Sequence, residues 1–206
     1  GVDVNCKDNG GCTPLLAASQ ESHDKVVKIM LDNKAQVDIK DNKGATALIY
    51  ASMKGHAAIA HLLITHGANV NVISSAGVTP LMAASLQGKE ELVTLLLLYG
   101  ANIEAVSTDG GSSLLWACEE GHVSTAKILL EEGANPHTCD CEGTTPIQVA
   151  IDKGYTELVS LMSNPLTERL QSMILHEVAS ESSSSTKYPP SGESKSPVST
   201  TTSNLG

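Results

Sequence analysis

The sequence predicts an all-α solenoid of five 33-residue units, each a helix-turn-helix joined to the next by a short β-hairpin-like loop. Three observations predict it. Stepping by 33 from Gly11 lands on Gly44, Gly77, Gly110 and Gly143, and the same step from Leu15 gives Leu48, Leu81, Leu114 and Ile147. Gly55, Gly88, Gly121 and Gly154 form a second series in phase, with Ser22 in the first unit. No insertion breaks the register, and a fixed period of this length marks a repeat array. The composition agrees, because Phe is absent and Trp116 and four Tyr are the only aromatics, which suits thin layers of aliphatic side chains better than one thick core.

Residues 1–7 read as the tail of a preceding unit. The units then run 8–40, 41–73, 74–106, 107–139 and 140–163. Thr13-Pro14 and Thr79-Pro80 each supply an N-cap and a proline at the first helical position, where its missing N–H is no loss. The first helix carries Ala18, Ala51, Ala84, Ala117 and Ala150, small enough for a neighbouring helix to approach. The glycine series at 55, 88, 121 and 154 then turns the chain. A second helix follows, with Ile59, Leu62 and Leu63 or Leu92, Leu95 and Leu96 at helical spacing, and stops at Gly67, Gly100 and Gly133. Loops such as Ala68-Asn69-Val70-Asn71-Val72 lead onward. Two short helices leave apolar surface on both flanks, so each unit needs its neighbours.

Asp8-Asn9-Gly10-Gly11-Cys12-Thr13-Pro14-Leu15, Gly55-His56, Leu62-Leu63 and Gly67-Ala68-Asn69-Val70-Asn71 strongly resemble the ankyrin repeat, over about residues 1–162. The chain departs from that pattern where the family's His after Thr-Pro-Leu is Leu16, Ile49, Met82, Leu115 and Gln148. Apolar packing is expected to substitute. Thr46-Ala47 and Ser112-Ser113 weaken the Thr-Pro helix start, and Lys34 replaces a terminal glycine.

Beyond Asn164-Pro165, Leu166, Leu170, Met173 and Ile174 read as one amphipathic helix, 164–178, that caps the array or binds a partner. In residues 179–206, 14 of 28 are Ser or Thr, which predicts a disordered tail. Ser196-Pro197 is either a proline-directed phosphorylation site or unmodified tail.

The net charge of −10 falls wholly in the first 178 residues, which argues against nucleic acid or an anionic membrane as principal ligand. Five irregularly spaced cysteines make no disulfide framework, and no signal peptide or spanning segment is visible. A cytoplasmic monomer is expected, with the nucleus left open.

No nucleophile elbow, phosphate loop or His-Glu-x-x-His sequence is present. His137-x-Cys139-x-Cys141 lacks the second ligand pair a zinc site needs, so no metal or cofactor is expected. His23, His56 and His122 recur at one position of the period, which reads as structural. Glu90-Glu91, Glu119-Glu120 and Glu131-Glu132 read as solvated faces, not acid/base pairs. The chain is therefore not expected to be an enzyme.

The resemblance implies a scaffold or adaptor that holds a partner protein on a concave face and on the hairpin tips. It alternatively implies the regulatory ankyrin portion of a larger channel, receptor or enzyme. Carried onto this sequence, the partner-facing positions include Met53, Ile73, Ala76, Val78, Leu86, Val106, Asp109 and Glu119. The apolar members either extend packing between units or form a patch for a partner. Asp109, Glu119, Glu120 and Asp152 follow them along the array, so a partner with an apolar segment flanked by Lys or Arg would match. Asn71 resembles the asparagine hydroxylation sites of the family, and reads otherwise as a turn residue.

Overall fold

The computed structural model describes residues 3–163, where the chain forms ten helices in five pairs. They are α1 (Pro14–Gln20) with α2 (Asp24–Asp32), α3 (Ala47–Lys54) with α4 (Ala57–Thr65), and α5 (Pro80–Leu86) with α6 (Glu90–Leu98). The last two pairs are α7 (Ser113–Glu119) with α8 (Val123–Glu131) and α9 (Pro146–Asp152) with α10 (Thr156–Met162). The first helices pack on one another in chain order, the second helices likewise, and each pair packs internally. The expected all-α solenoid is thus the observed one. The helix expected over 164–178, the tail 179–206 and Ser196 lie outside the described residues.

Helices of seven to nine residues are too short to hold alone, so caps and stacking must fix them. Thr13, Thr79, Ser112 and Thr145 each accept, on the side-chain oxygen, the N–H three residues on, which satisfies one orphan donor. Thr46 stands at the same place without that bond, and its buried hydroxyl has no partner. The Thr-Ala start is therefore weaker, whereas Ser112 caps as well as a threonine.

Leu15, Leu48, Leu81 and Leu114 are fully buried, as are Ala51, Ala84, Ala117 and Ala150. Where the family carries His, Leu16, Ile49, Met82 and Leu115 are buried as expected, while Gln148 is exposed. Sulfur takes part of the polar role in unit three, since the Thr79 N–H meets Met82 Sδ at 3.4 Å.

Two sets of hydrogen bonds connect the loops of neighbouring units. Each hairpin tip closes on itself, as where Asp41 N–H reaches Ala45 O and Gly44 N–H reaches Asp41 O, both at 3.0 Å. Neighbouring tips then join, with the N–H groups of Asn42, Ser75, Thr108 and Cys141 donating to Gly10, Lys43, Ala76 and Asp109 carbonyls at 2.9–3.0 Å. This is a ladder of single backbone bonds, and one isolated bridge, Val106 with Ser112, is its only β-type pairing among the described residues. Farther down the loops, Asp38, Asn71 and Glu104 accept the N–H groups of Asn69, Asn102 and Asn135 across each junction.

Candidate partner-binding surface

The tips owe their shape to one side chain at their first position. Asp8, Asp41, Ser74 and Asp140 accept two N–H groups, from the residues two and four places on, which fixes a tight turn with the following side chains pointing outward. In unit four Ser107 donates instead, to Asp109 and to the Gly111 carbonyl, and that hydroxyl holds the Asp109 carboxyl below its ordinary range.

The predicted residues fall into four rows of the period. Ala76 and Asp109 are exposed at the tips, and their carbonyls carry the ladder. Ile73 and Val106, 52% and 48% exposed, precede the tips. Val78, expected in solvent, is half-buried, because its N–H is drawn in to Ser74 Oγ at 3.1 Å. Leu86 and Glu119 end α5 and α7, Met53 is the last residue but one of α3, and only Met53, at 38%, is exposed, whereas Leu86 and Glu119 are half-buried. The Leu86 carbonyl lies 3.1 Å from His122 Nε2 of the next unit.

Glu119 is the electrostatic centre of the acidic end. Burial pushes its carboxyl up, Asp140 adds to the push, Lys153 opposes it, and Glu120 and Asp109 add further. Glu119, Glu120, Val149, Asp152 and Lys153 line an open cleft of about 430 Å³ between the ends of α7 and α9. Lys153 Nζ donates to the Glu119 carbonyl, so its charge is tied to one wall. The sequence had offered the acidic residues. It did not single out Val149, Asp140 or Lys153, although Asp152 and Lys153 stand one period after Glu119 and Glu120.

The recurring histidines are structural where a preceding helix exists. His56 Nε2 lies 3.1 Å from the Gln20 carbonyl, as His122 does from that of Leu86. Asn71 is engaged on both sides of its amide, with Nδ2 donating to Gly100 O at 3.1 Å and Oδ1 accepting from Asn102 N–H at 2.7 Å. His137, Cys139 and Cys141 are exposed, and no group of three metal-ligating side chains occurs among the described residues. No helix there is long and apolar enough to cross a membrane.

The family model described as Ankyrin repeats (3 copies) matches residues 1–74, 35–107 and 81–170 of the chain. No curated protein matches it.

Proposed function

Because the chain belongs to the ankyrin-repeat family, whose members are generally protein–protein interaction modules, we propose that this array holds a partner protein on its hairpin tips and first-helix ends. Met53, Ile73, Ala76, Val78, Leu86 and Val106 would receive an apolar segment, and Asp109 with Glu119 would receive Lys or Arg beside it. The observation that carries the reading is the acidic cleft around Glu119. Burial first, and then the nearby Asp140, Glu120 and Asp109 carboxylates, push the Glu119 carboxyl up while only Lys153 opposes them, so a cation entering the cleft relieves like-charge repulsion.

The test is crosslinked capture with the full chain, its Met53→Glu/Leu86→Glu variant and a Glu119→Gln/Glu120→Gln/Asp152→Asn variant. The apolar variant is expected to lose the partner while its melting temperature stays within a few degrees. The neutralised variant is expected to lose most at low salt, since exposed charges are screened beyond about 10 Å at 0.1 M. If the apolar variant unfolds, Met53 and Leu86 belong to the core and the reading fails.

A second reading, the ankyrin portion of a larger channel, receptor or enzyme, draws support from residues 3–7. They make the junction bonds of a unit's tail, Asn5 Oδ1 accepting the Gln36 N–H and Lys7 Nζ donating to Lys40 O.

A further inference from the structure

Eight asparagines lie among the described residues, and seven of them have the side-chain amide in a hydrogen bond. Asn69, Asn102 and Asn135 accept the N–H two residues on, at 2.9–3.1 Å. Asn33 and Asn42 donate from Nδ2 to the Ile29 and Asn9 carbonyls. Asn5 and Asn71 accept the N–H groups of Gln36 and Asn102 across a junction. Asn9 is the exception. It is exposed at the tip of unit one, and its carboxamide has no partner among the described residues, so it is free to rotate.

The residue that follows each asparagine sorts them the same way. Val70, Val72 and Ile103 crowd the peptide with β-branched side chains, and Pro136 has no N–H. Gly10, after Asn9, brings no side chain, so its nitrogen can be approached closely. A Cβ at Gly10 would meet the Asp8 carboxyl alone, with Oδ1 at 3.3 Å. The Gly10 N–H already donates to that oxygen at 2.8 Å, within the reach of a general base. Asp109-Gly110 is the one other place in the sequence where glycine follows Asn or Asp, and there Ser107 holds the carboxyl.

We propose that Asn9-Gly10 is a self-modification site, where asparagine converts through a cyclic imide to aspartate and isoaspartate, and that the isoaspartate form breaks the first rung of the tip ladder. The Gly10 nitrogen attacks Asn9 Cγ and forms an N–Cγ bond. Its proton passes to Asp8 and on to the departing amide nitrogen, which leaves as ammonia when the Cγ–Nδ2 bond breaks. Water then opens the imide at Cγ, giving aspartate, or at the main-chain carbonyl carbon, giving isoaspartate. Both products add a negative charge, and isoaspartate also lengthens the main chain of the tip by one carbon. The Asn9 carbonyl, which receives Asn42 Nδ2 at 3.1 Å, then becomes a free carboxylate, and the Gly10 carbonyl, which receives the Asn42 N–H at 3.0 Å, is displaced. The inference is independent of the proposed partner surface.

The test incubates the full chain at physiological pH and temperature and maps its peptides by mass spectrometry, with enzymatic methylation counting isoaspartate. The gain of one mass unit, an amide becoming an acid, is expected at Asn9 about tenfold faster than at Asn42, a barrier lower by about 1.4 kcal/mol. Gly10→Ala, whose methyl meets the end of the Asp8 side chain alone, is expected to slow Asn9 about tenfold. Asp8→Ser keeps a turn acceptor of the kind Ser74 supplies and is expected to slow it several-fold. The isoaspartate form, separated by ion exchange, is expected to lose amide-exchange protection at Asn42, whereas Asn9→Asp, with the charge but not the extra carbon, keeps it. A gain at Asn9 no faster than at Asn42, or an unchanged rate in Gly10→Ala, overturns the site. An unchanged rate in Asp8→Ser overturns the proton path, and an isoaspartate form with Asn42 still protected overturns the effect on the ladder.

Discussion

Replacing Gly88 with alanine would place a methyl carbon 2.5 Å from His122 Nδ1 and 2.7 Å from its Cγ. Two effects then act. Gly88 has φ +61, a left-handed conformation that disfavours any residue with a Cβ by about 1–2 kcal/mol. The imidazole must also swing away, which breaks its hydrogen bond to the Leu86 carbonyl, a loss of about 0.5–1.5 kcal/mol. Together they predict a destabilisation of about 1.5–3.5 kcal/mol. Gly100 is the control, since its φ is +80 but an added Cβ meets nothing within 4 Å, so only the backbone effect remains. Urea unfolding followed by far-UV circular dichroism of Gly88→Ala, Gly100→Ala, His122→Ala and the Gly88→Ala/His122→Ala double variant separates the two. In the His122→Ala background, Gly88→Ala is expected to cost no more than Gly100→Ala does alone, because the colliding ring is gone. Equal destabilisation by Gly88→Ala and Gly100→Ala in the natural background would refute the idea that histidine stacking on the turn glycine links the units.

Tyr50 donates a 2.6 Å hydrogen bond to Asp41, and that bond, with burial, pushes its phenol from 10 up to about 12. A raised folded value means that its contribution is complete below pH 10 and lost as pH climbs toward 12, so Tyr50→Phe should lower the urea midpoint at pH 7 and flatten the alkaline loss. Asp41 has the opposite sign: burial raises it, but the bonds from Tyr50 and from the Ala45 and Lys43 N–H groups outweigh burial and depress it, so its contribution fades as pH falls through that depressed value. Burial pushes the Cys118 thiol up to about 12, and Glu119 adds to it, so maleimide at neutral pH should label the exposed Cys6, Cys139 and Cys141 quickly and Cys118 only as fast as the array opens. Thr125 stands where Ile59, Leu92 and Leu158 stand in other units, with its hydroxyl buried and unpartnered, so Thr125→Val should raise stability by about 1–3 kcal/mol, read as a higher melting temperature.

The fold was legible because its determinants repeat. Glycines at 55, 88, 121 and 154 announce a left-handed turn whatever surrounds them, and Leu15 with its successors announces a buried row. The candidate surface was legible only in part. Periodicity says which row a side chain belongs to but not its exposure within the row, as at Leu86, which is half-buried while Met53 stays open. Lys153 escaped notice for a related reason. Its importance lies in reaching back 34 residues to the Glu119 carbonyl, a contact that no local pattern encodes.

That contact also explains why side chains in the proposed partner-binding rows can vary without loosening the array. At the ends of the first helices the inter-unit bond is accepted by a backbone carbonyl, of Gln20, Leu86 or Glu119, and the donor is His56, His122 or Lys153. At the tips the acceptors are again carbonyls, of Gly10, Lys43, Ala76 and Asp109. A carbonyl is the same in every residue, so the side chains at these positions carry none of the hydrogen bonding between units. Gln20, Met53, Leu86, Glu119 and Asp152 differ in charge and polarity at a single position of the period for that reason, as do Gly10, Lys43, Ala76, Asp109 and Glu142. The row of Asn5, Asp38, Asn71 and Glu104, whose side chains make the bonds, keeps an oxygen acceptor at each of these four junctions. Side chains in rows that the backbone has already secured are thus free to vary, and the apolar-to-acidic gradient from Met53 to Asp152 lies along such a row.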